Sequence, residues 1–164
     1  QELVPMALEL GLGITPWSPL KSGVLSGKYT RENAGKNTAD RGALMHGSLN
    51  EKTHAIVDEL GAIASAQDTT IARVALSWVQ SRPGVTSTII GARRLAQLED
   101  NLKALDVALS PEQLAKLDAL TKPSFGFPQS MAPYFPAIHN GGTSVNGVQA
   151  EPSGFVMLRG EKPY

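Results

Sequence analysis

The chain has 164 residues, enough for one core of ordinary domain size, and its 15 basic and 15 acidic side chains cancel. Zero net charge exerts no long-range pull on nucleic acid or an anionic membrane, so any anion must be held locally. With no cysteine, disulfides and thiolate metal sites are excluded, and no apolar run reaches the ~18 residues a membrane span needs, so a soluble, unexported, cytoplasmic protein is expected.

Gln1 to Leu10 (QELVPMALEL) reads as helix, with Leu3, Met6, Ala7 and Leu10 at helical spacing and Gly11 and Gly13 stopping it. No cap or lead-in precedes that helix and the first residue is not Met, so the chain is expected to begin in mid-fold. Ile14 to Trp17 is short and β-favouring, and Pro16 and Pro19 restrict it to an extended strand with an irregular end. From Ser18 to Asn50 the periodicity dissolves into a loop of roughly thirty residues, a length that is usually functional or mobile.

Asn50 is a candidate N-cap for a helix with the apolar stripe Ile56, Leu60, Ile63 and Ala64. Thr69 or Thr70 caps the next, where Ile71, Val74, Ala75, Trp78 and Val79 give the strongest periodicity in the chain; Trp78 on that stripe reads as core. Pro83 and Gly84 end it, and Val85 to Ile90 (VTSTII) is the second strand. Leu98, Leu102 and Leu105 line a further helix, and Ser110 with Pro111 starts the last, carrying Leu114, Leu117 and Leu120. Beyond Pro123 no period remains, and the tail of about forty residues is expected to be draped on a larger body or disordered. The domain reading is therefore 1–122 as a structured part and 123–164 as an irregular tail. The order is an α/β alternation with parallel strands, and two strands alone cannot hide both of their faces.

Two strand ends carry chemistry. In Thr88 to Asn101 (TIIGARRLAQLEDN), a strand ending at Gly91 and passing at once into a helix aims backbone N–H groups and the positive helix end at one point. Gly91 permits close approach, Arg93 and Arg94 offer guanidinium forks suited to a phosphate monoester, and Gln97 is one turn further on. The same residues also fit a plain strand-to-helix turn with two solvated arginines. The second stretch, Thr15 to Tyr29 (TPWSPLKSGVLSGKY), leaves the other strand end with the Ser18 hydroxyl, amides near Gly23, and Lys28, and reads either as a surface loop or as a pyrophosphate cradle. It lacks P-loop spacing, and Gly11-Leu12-Gly13 precedes a strand and has no third glycine, so it is no dinucleotide fingerprint.

Taken together, GLGITPWSPLKSGVLSGKY, RPGVTSTIIGARRLAQLEDNLKALD and the SPEQLAKLD segment after them resemble the C-terminal part of an aldo-keto reductase. The branch is the one that includes the voltage-gated potassium channel β-subunits and many bacterial reductases. The resemblance implies a C-terminal part of a (β/α)8 TIM barrel, with Ile14–Trp17 as strand seven and Val85–Ile90 as strand eight, flanked by helices. Such barrels commonly hold a phosphate in the loops after those strands. It implies NADP(H) as cofactor. Trp17, Ser18, Pro19, Leu20, Lys21 and Ser22 would lie along the nicotinamide and pyrophosphate, with Lys28 reaching the phosphates. Gly91, Ala92, Arg93, Gln97, Asp100 and Asn101 would enclose the adenosine end, Arg93 at the 2′-phosphate. Partners would be NADPH and a small carbonyl substrate, with the missing N-terminal barrel half or another chain completing the fold; no nucleic acid and no membrane are expected.

The family's chemistry uses an Asp, a general-acid Tyr, a Lys and usually a His, all on strands upstream of the matched segment. No catalytic residue is assigned here, and Tyr29, Tyr134, Lys28 and His139 match none of those motifs; His46 and His54 read as loop and helix-surface residues without metal-ligand spacing. Three readings follow. One is the cofactor-binding portion of an NADPH-dependent carbonyl reductase. The others are a non-catalytic NADPH-binding module that pairs with another chain, and a phosphate-binding α/β module unrelated to nicotinamide.

Overall fold

The computed structural model describes residues 3–31, 49–134 and 144–149, in two compact units, 1–122 and 123–164. The first unit holds five α-helices among its described residues: α1 Leu3–Glu9, α2 Glu51–Ala66, α3 Ile71–Gln80, α4 Leu95–Leu102 and α5 Pro111–Thr121. Three begin where short polar side chains can satisfy the orphan N–H groups of a first turn. Asn50 accepts from the Thr53 N–H and Thr70 from the Arg73 N–H, while Ser110 and Gln113 form a reciprocal capping box ahead of Pro111.

The core is helical. Leu60, Ile63 and Ala64 of α2, Val74 and Ala75 of α3, and Leu117 of α5 form one buried cluster, with Leu20, Leu25, Ile71 and Trp78 packed against its edge. Trp78 is thus a half-buried rim residue. Its indole Nε1–H donates to Asp118 at 2.9 Å, and the Arg82 guanidinium lies 4.8 Å above its ring while also donating to Asp118 at 2.6 Å. Burial pushes the Asp118 carboxyl up, but the Trp78 and Arg82 hydrogen bonds and the Arg82 charge outweigh it and hold it below its usual range. A Tyr or Trp packed this way keeps an apolar body inside and a polar handle satisfied.

The two predicted strands meet, but as two isolated parallel bridges, Ile14 with Val85 and Trp17 with Ile89, rather than as continuous strands. The Ile14 N–H donates to Gly84 and its carbonyl accepts from Thr86, both at 2.9 Å, and the Pro16 carbonyl accepts from Ile89 at 2.9 Å. The bridge partners are three positions apart on the first segment (14 to 17) and four positions apart on the second (85 to 89). The extra residue falls opposite Pro16, which has no N–H to continue the ladder, so the register slips there. Gly13 is required by the close approach: a Cβ on it would lie 2.5 Å from the Thr86 hydroxyl.

The expected long loop is structured at its start. Lys21–Ser26 forms a kinked 3-10 turn with Val24 fully buried, and Tyr29 is buried too; 32–48, and with them His46, lie outside the described residues. The helix expected to run through Leu105 ends at Leu102, and Lys103–Asp106 continues as a 3-10 turn. In the second unit the described residues form a 3-10 turn, Gln129–Tyr134, and an antiparallel hairpin of β1 Ser144–Val145 and β2 Val148–Gln149. Asn146 and Gly147 turn it with φ of 53° and 79°, the left-handed pair a two-residue hairpin loop needs. His139 lies outside the described residues.

Candidate functional site

Because the two bridged segments are parallel, both chains leave the pair at the same end. Trp17 passes into Ser18–Ser22 and Ile89 into Gly91–Arg94, so the two motifs singled out in the sequence emerge side by side. Trp17 is 81 % exposed and its neighbour Ile89 54 %, a bare apolar platform at the mouth of the two turns.

The turn after Trp17 is unusual in its backbone. Ser18, Lys21 and Ser22 have φ of 53°, 47° and 55°, a left-handed conformation that is uncommon outside glycine, and Gly23 follows at 92°. Such a run costs energy at each non-glycine residue and persists only where the surroundings hold it. Here the Lys21 N–H donates to the Ser18 carbonyl and the Gly23 N–H to that of Leu20, each at 2.9 Å, and the Ser26 hydroxyl closes onto the Gly23 carbonyl at 2.7 Å. Leu20 packs on the helical core, and Lys21 joins Leu25, Ile56, Leu60, Trp78 and Leu117 around an apolar cavity of about 100 Å³. Leu20 is half-buried against the helix layer and Pro19 is half-buried too, while Ser18, Lys21, Ser22 and Lys28 are exposed, Lys21 at the rim of that cavity. Beyond the turn, Arg31 donates to both Glu51 oxygens and to Asp58, fastening this segment to α2 and holding the Glu51 carboxyl below its usual range.

The turn after Ile89 is open. A Cβ on Gly91 would meet nothing within 4 Å, so a ligand can come up to the backbone there. Ala92, Arg93, Arg94 and Gln97 are exposed, and Arg94 stands at the N-cap of α4 without a side-chain cap bond, which leaves the helix's positive end unclaimed by a capping side chain. Gln97 accepts the Arg93 N–H through its Oε1 at 3.1 Å, which braces the turn and leaves its amide nitrogen, the group that can donate, turned to neither partner of that bond. Asp100 is half-buried and held by Arg73, whose Nε donates to Oδ1 at 2.9 Å and whose Nη2 contacts the same oxygen. Asn101 stands beside it, also half-buried.

An exposed glycine, an uncapped helix start and two exposed guanidinium groups make a donor set suited to a phosphate group. Sequence reasoning missed Arg73. It sits in the first turn of the most buried helix, and its partner is 27 residues away, so no local spacing announces the pair. Among the described residues no group of three or more His, Asp or Glu could hold a metal ion, and no helix is long and apolar enough to cross a membrane. His54 on α2 is half-buried, and its Nδ1 has no hydrogen-bond partner among the described residues.

The model of the Aldo/keto reductase family matches residues 1–122. An uncharacterized oxidoreductase of Bacillus subtilis is 41 % identical over 119 residues, covering 71 % of this chain and 34 % of that protein. A probable voltage-gated potassium channel subunit beta of Oryza sativa subsp. japonica is 39 % identical over 133 residues, covering 74 % of this chain and 39 % of its own length. A putative aryl-alcohol dehydrogenase of Saccharomyces cerevisiae is 27 % identical, covering 84 % and 37 %. The chain thus spans well under half the length of each of these relatives.

Proposed function

The chain belongs to the aldo/keto reductase family, a family of (β/α)8 barrels, and from that premise we propose that it is the C-terminal, cofactor-binding portion of an NADPH-dependent oxidoreductase that reduces an aldehyde or ketone to an alcohol. Ile14–Trp17 and Val85–Ile90 take the places of strands seven and eight. The carrying observation is the parallel pairing of Trp17 with Ile89, which brings two anion-suited turns to one end of a strand pair. In this reading Trp17, Ser18, Pro19, Lys21, Ser22 and Lys28 serve the nicotinamide and pyrophosphate, with Leu20 also fixing the turn to the core. Gly91, Ala92, Arg93, Gln97, Asp100 and Asn101 serve the adenosine end, and Arg93 takes the 2′-phosphate. The bound nucleotide supplies a hydride to the carbonyl carbon. The proton for the alkoxide has to come from groups outside those assigned here.

The reading that part of a barrel is present draws support from the surface. Leu95, Leu98, Leu102 and Leu105 are all exposed and recur at three- and four-residue steps, a face suited to cover by further secondary structure. The same face favours the second reading, a nucleotide-binding module that pairs with another chain, as do relatives described as channel subunits. Turnover separates the two: a module binds NADPH and reduces no carbonyl in the presence of its partner.

The test is a titration with NADPH and NADH followed by intrinsic fluorescence, with Trp17→Phe to isolate the reporting residue. Saturable quenching that prefers NADPH, disappears with Trp17→Phe and weakens about tenfold or more with Arg93→Ala supports the proposal, that loss being the scale of a hydrogen bond to a charged group. Equal affinity for NADPH and NADH, or for NADPH and inorganic phosphate, rejects it.

A further inference from the structure

Deepening the cofactor reading above, on which it rests, we propose that Arg73 is a positioning residue for the adenosine end of the site. It holds the Asp100 carboxylate so that one oxygen is free to accept from the 6-amino group of the adenine. Asp100 lies three residues after Gln97, on the same side of α4, and Gln97 is itself joined to the turn through the Arg93 N–H. The face that starts at the turn therefore continues to Asp100.

The two oxygens of that carboxylate are treated differently. Oδ1 takes both guanidinium contacts from Arg73, through Nε at 2.9 Å and through Nη2. Oδ2 has only a long contact from the Thr70 hydroxyl, at 3.4 Å. A carboxylate oxygen offers two acceptor directions, so Oδ2 retains capacity for an amino donor. An adenine amine fits it and a carbonyl at the same ring position does not.

Arg73 is built to hold this geometry. It follows Thr70, which caps α3 by accepting the Arg73 N–H, and its helix neighbours Val74 and Ala75 are buried in the core. None of the residues of α4 is buried, so the pair ties an exposed helix to a fixed one. The side chains of Arg73 and Asp100 are 21 % and 35 % exposed, dry enough for direction to matter. Arg73 also cancels a negative charge that would otherwise stand beside a nucleotide carrying several of its own.

The experiment compares the binding of NADPH with that of its reduced hypoxanthine analogue, in which a carbonyl replaces the adenine amine, to the wild-type chain, Arg73→Gln, Arg73→Lys and Arg93→Ala. The wild type prefers NADPH by about tenfold, the scale of one partly exposed hydrogen bond to a charged acceptor. Arg73→Gln narrows that preference to within about threefold, Arg73→Lys restores part of it, and Arg93→Ala weakens both ligands while keeping their ratio. If Arg73→Gln weakens both ligands equally with the preference intact, Arg73 is merely structural and the inference is overturned. A wild type that binds both ligands tightly but alike overturns it while leaving the cofactor reading standing. A wild type that binds neither removes both.

Discussion

Leu117 is 1 % exposed and Trp17 81 %, and they mark two regions of the same unit built on different terms. The helix layer of α2, α3 and α5 closes on itself, with capped first turns and a continuous buried cluster. The strand pair closes on nothing comparable among the described residues: two bridges, a register slip and an exposed apolar platform. Parallel strands are ordinarily covered on both faces, because lone pairs leave apolar side chains and ladder groups in water. The difference teaches where each property resides. Folding energy sits in the helices, and the groups suited to a ligand sit where packing is least complete, which is how a scaffold and its binding loops usually divide their work.

If that division is right, substitutions should separate stability from binding. The largest effect belongs to Leu117→Ala, which opens a cavity in the closed layer and lowers unfolding free energy by about 2–5 kcal/mol. Urea titration should show it, with the preference between NADPH and NADH unchanged in whatever fraction stays folded. A loss of less than about 1 kcal/mol would break the comparison, since a cavity of this kind in a well-packed layer costs more.

Next in size is Gly13→Ala, which tests the open region. The new methyl would press on Thr86, forcing the two segments apart at a cost of about 1–3 kcal/mol. Adding Thr86→Ala should recover most of that loss, because the crowding atom is the threonine hydroxyl. Equal destabilisation in the single and double variants would mean that the close approach at Gly13 is not what joins the pair.

The smallest effect sharpens the edge between the regions. The Asp118 carboxyl is held below its ordinary range in the folded chain, so its contribution is complete above the ordinary carboxylate value of about 4 and is lost as pH falls through the lower folded value. Asp118 is half exposed, which keeps the effect under about 1 kcal/mol. The stability gap between the chain and Asp118→Asn should therefore be present at pH 6 and shrink toward pH 3. A gap that widens on acidification would reverse the sign and remove the Trp78–Arg82–Asp118 group from the rim.

What was legible in the sequence was local. Asn50, Thr70 and Ser110–Pro111 stand three residues from the N–H groups or partners they serve, and the apolar stripes of α2 and α3 repeat with the helical period, so caps and buried faces could be read directly. The meeting of Ile14–Trp17 with Val85–Ile90 was legible as parallel pairing. Its register was not, because the slip depends on Pro16 facing one particular stretch of a distant segment. The Asn146-Gly147 hairpin had a local signal, an Asn-Gly pair between valines, that periodicity alone passed over.

The sequence by itself therefore determined the capped helix starts, the apolar stripes behind them and the places of the two turns, since each rests on residues within four positions of one another. Only the tertiary structure decided that Arg73 grips Asp100, that the Gln97 Oε1 braces Arg93, and that Ser18, Lys21 and Ser22 take left-handed backbone. The physical reason is reach. A hydrogen bond across 27 residues, or a strained turn held by Leu20 on a core built from three helices, is set by how the chain packs and leaves no period along it.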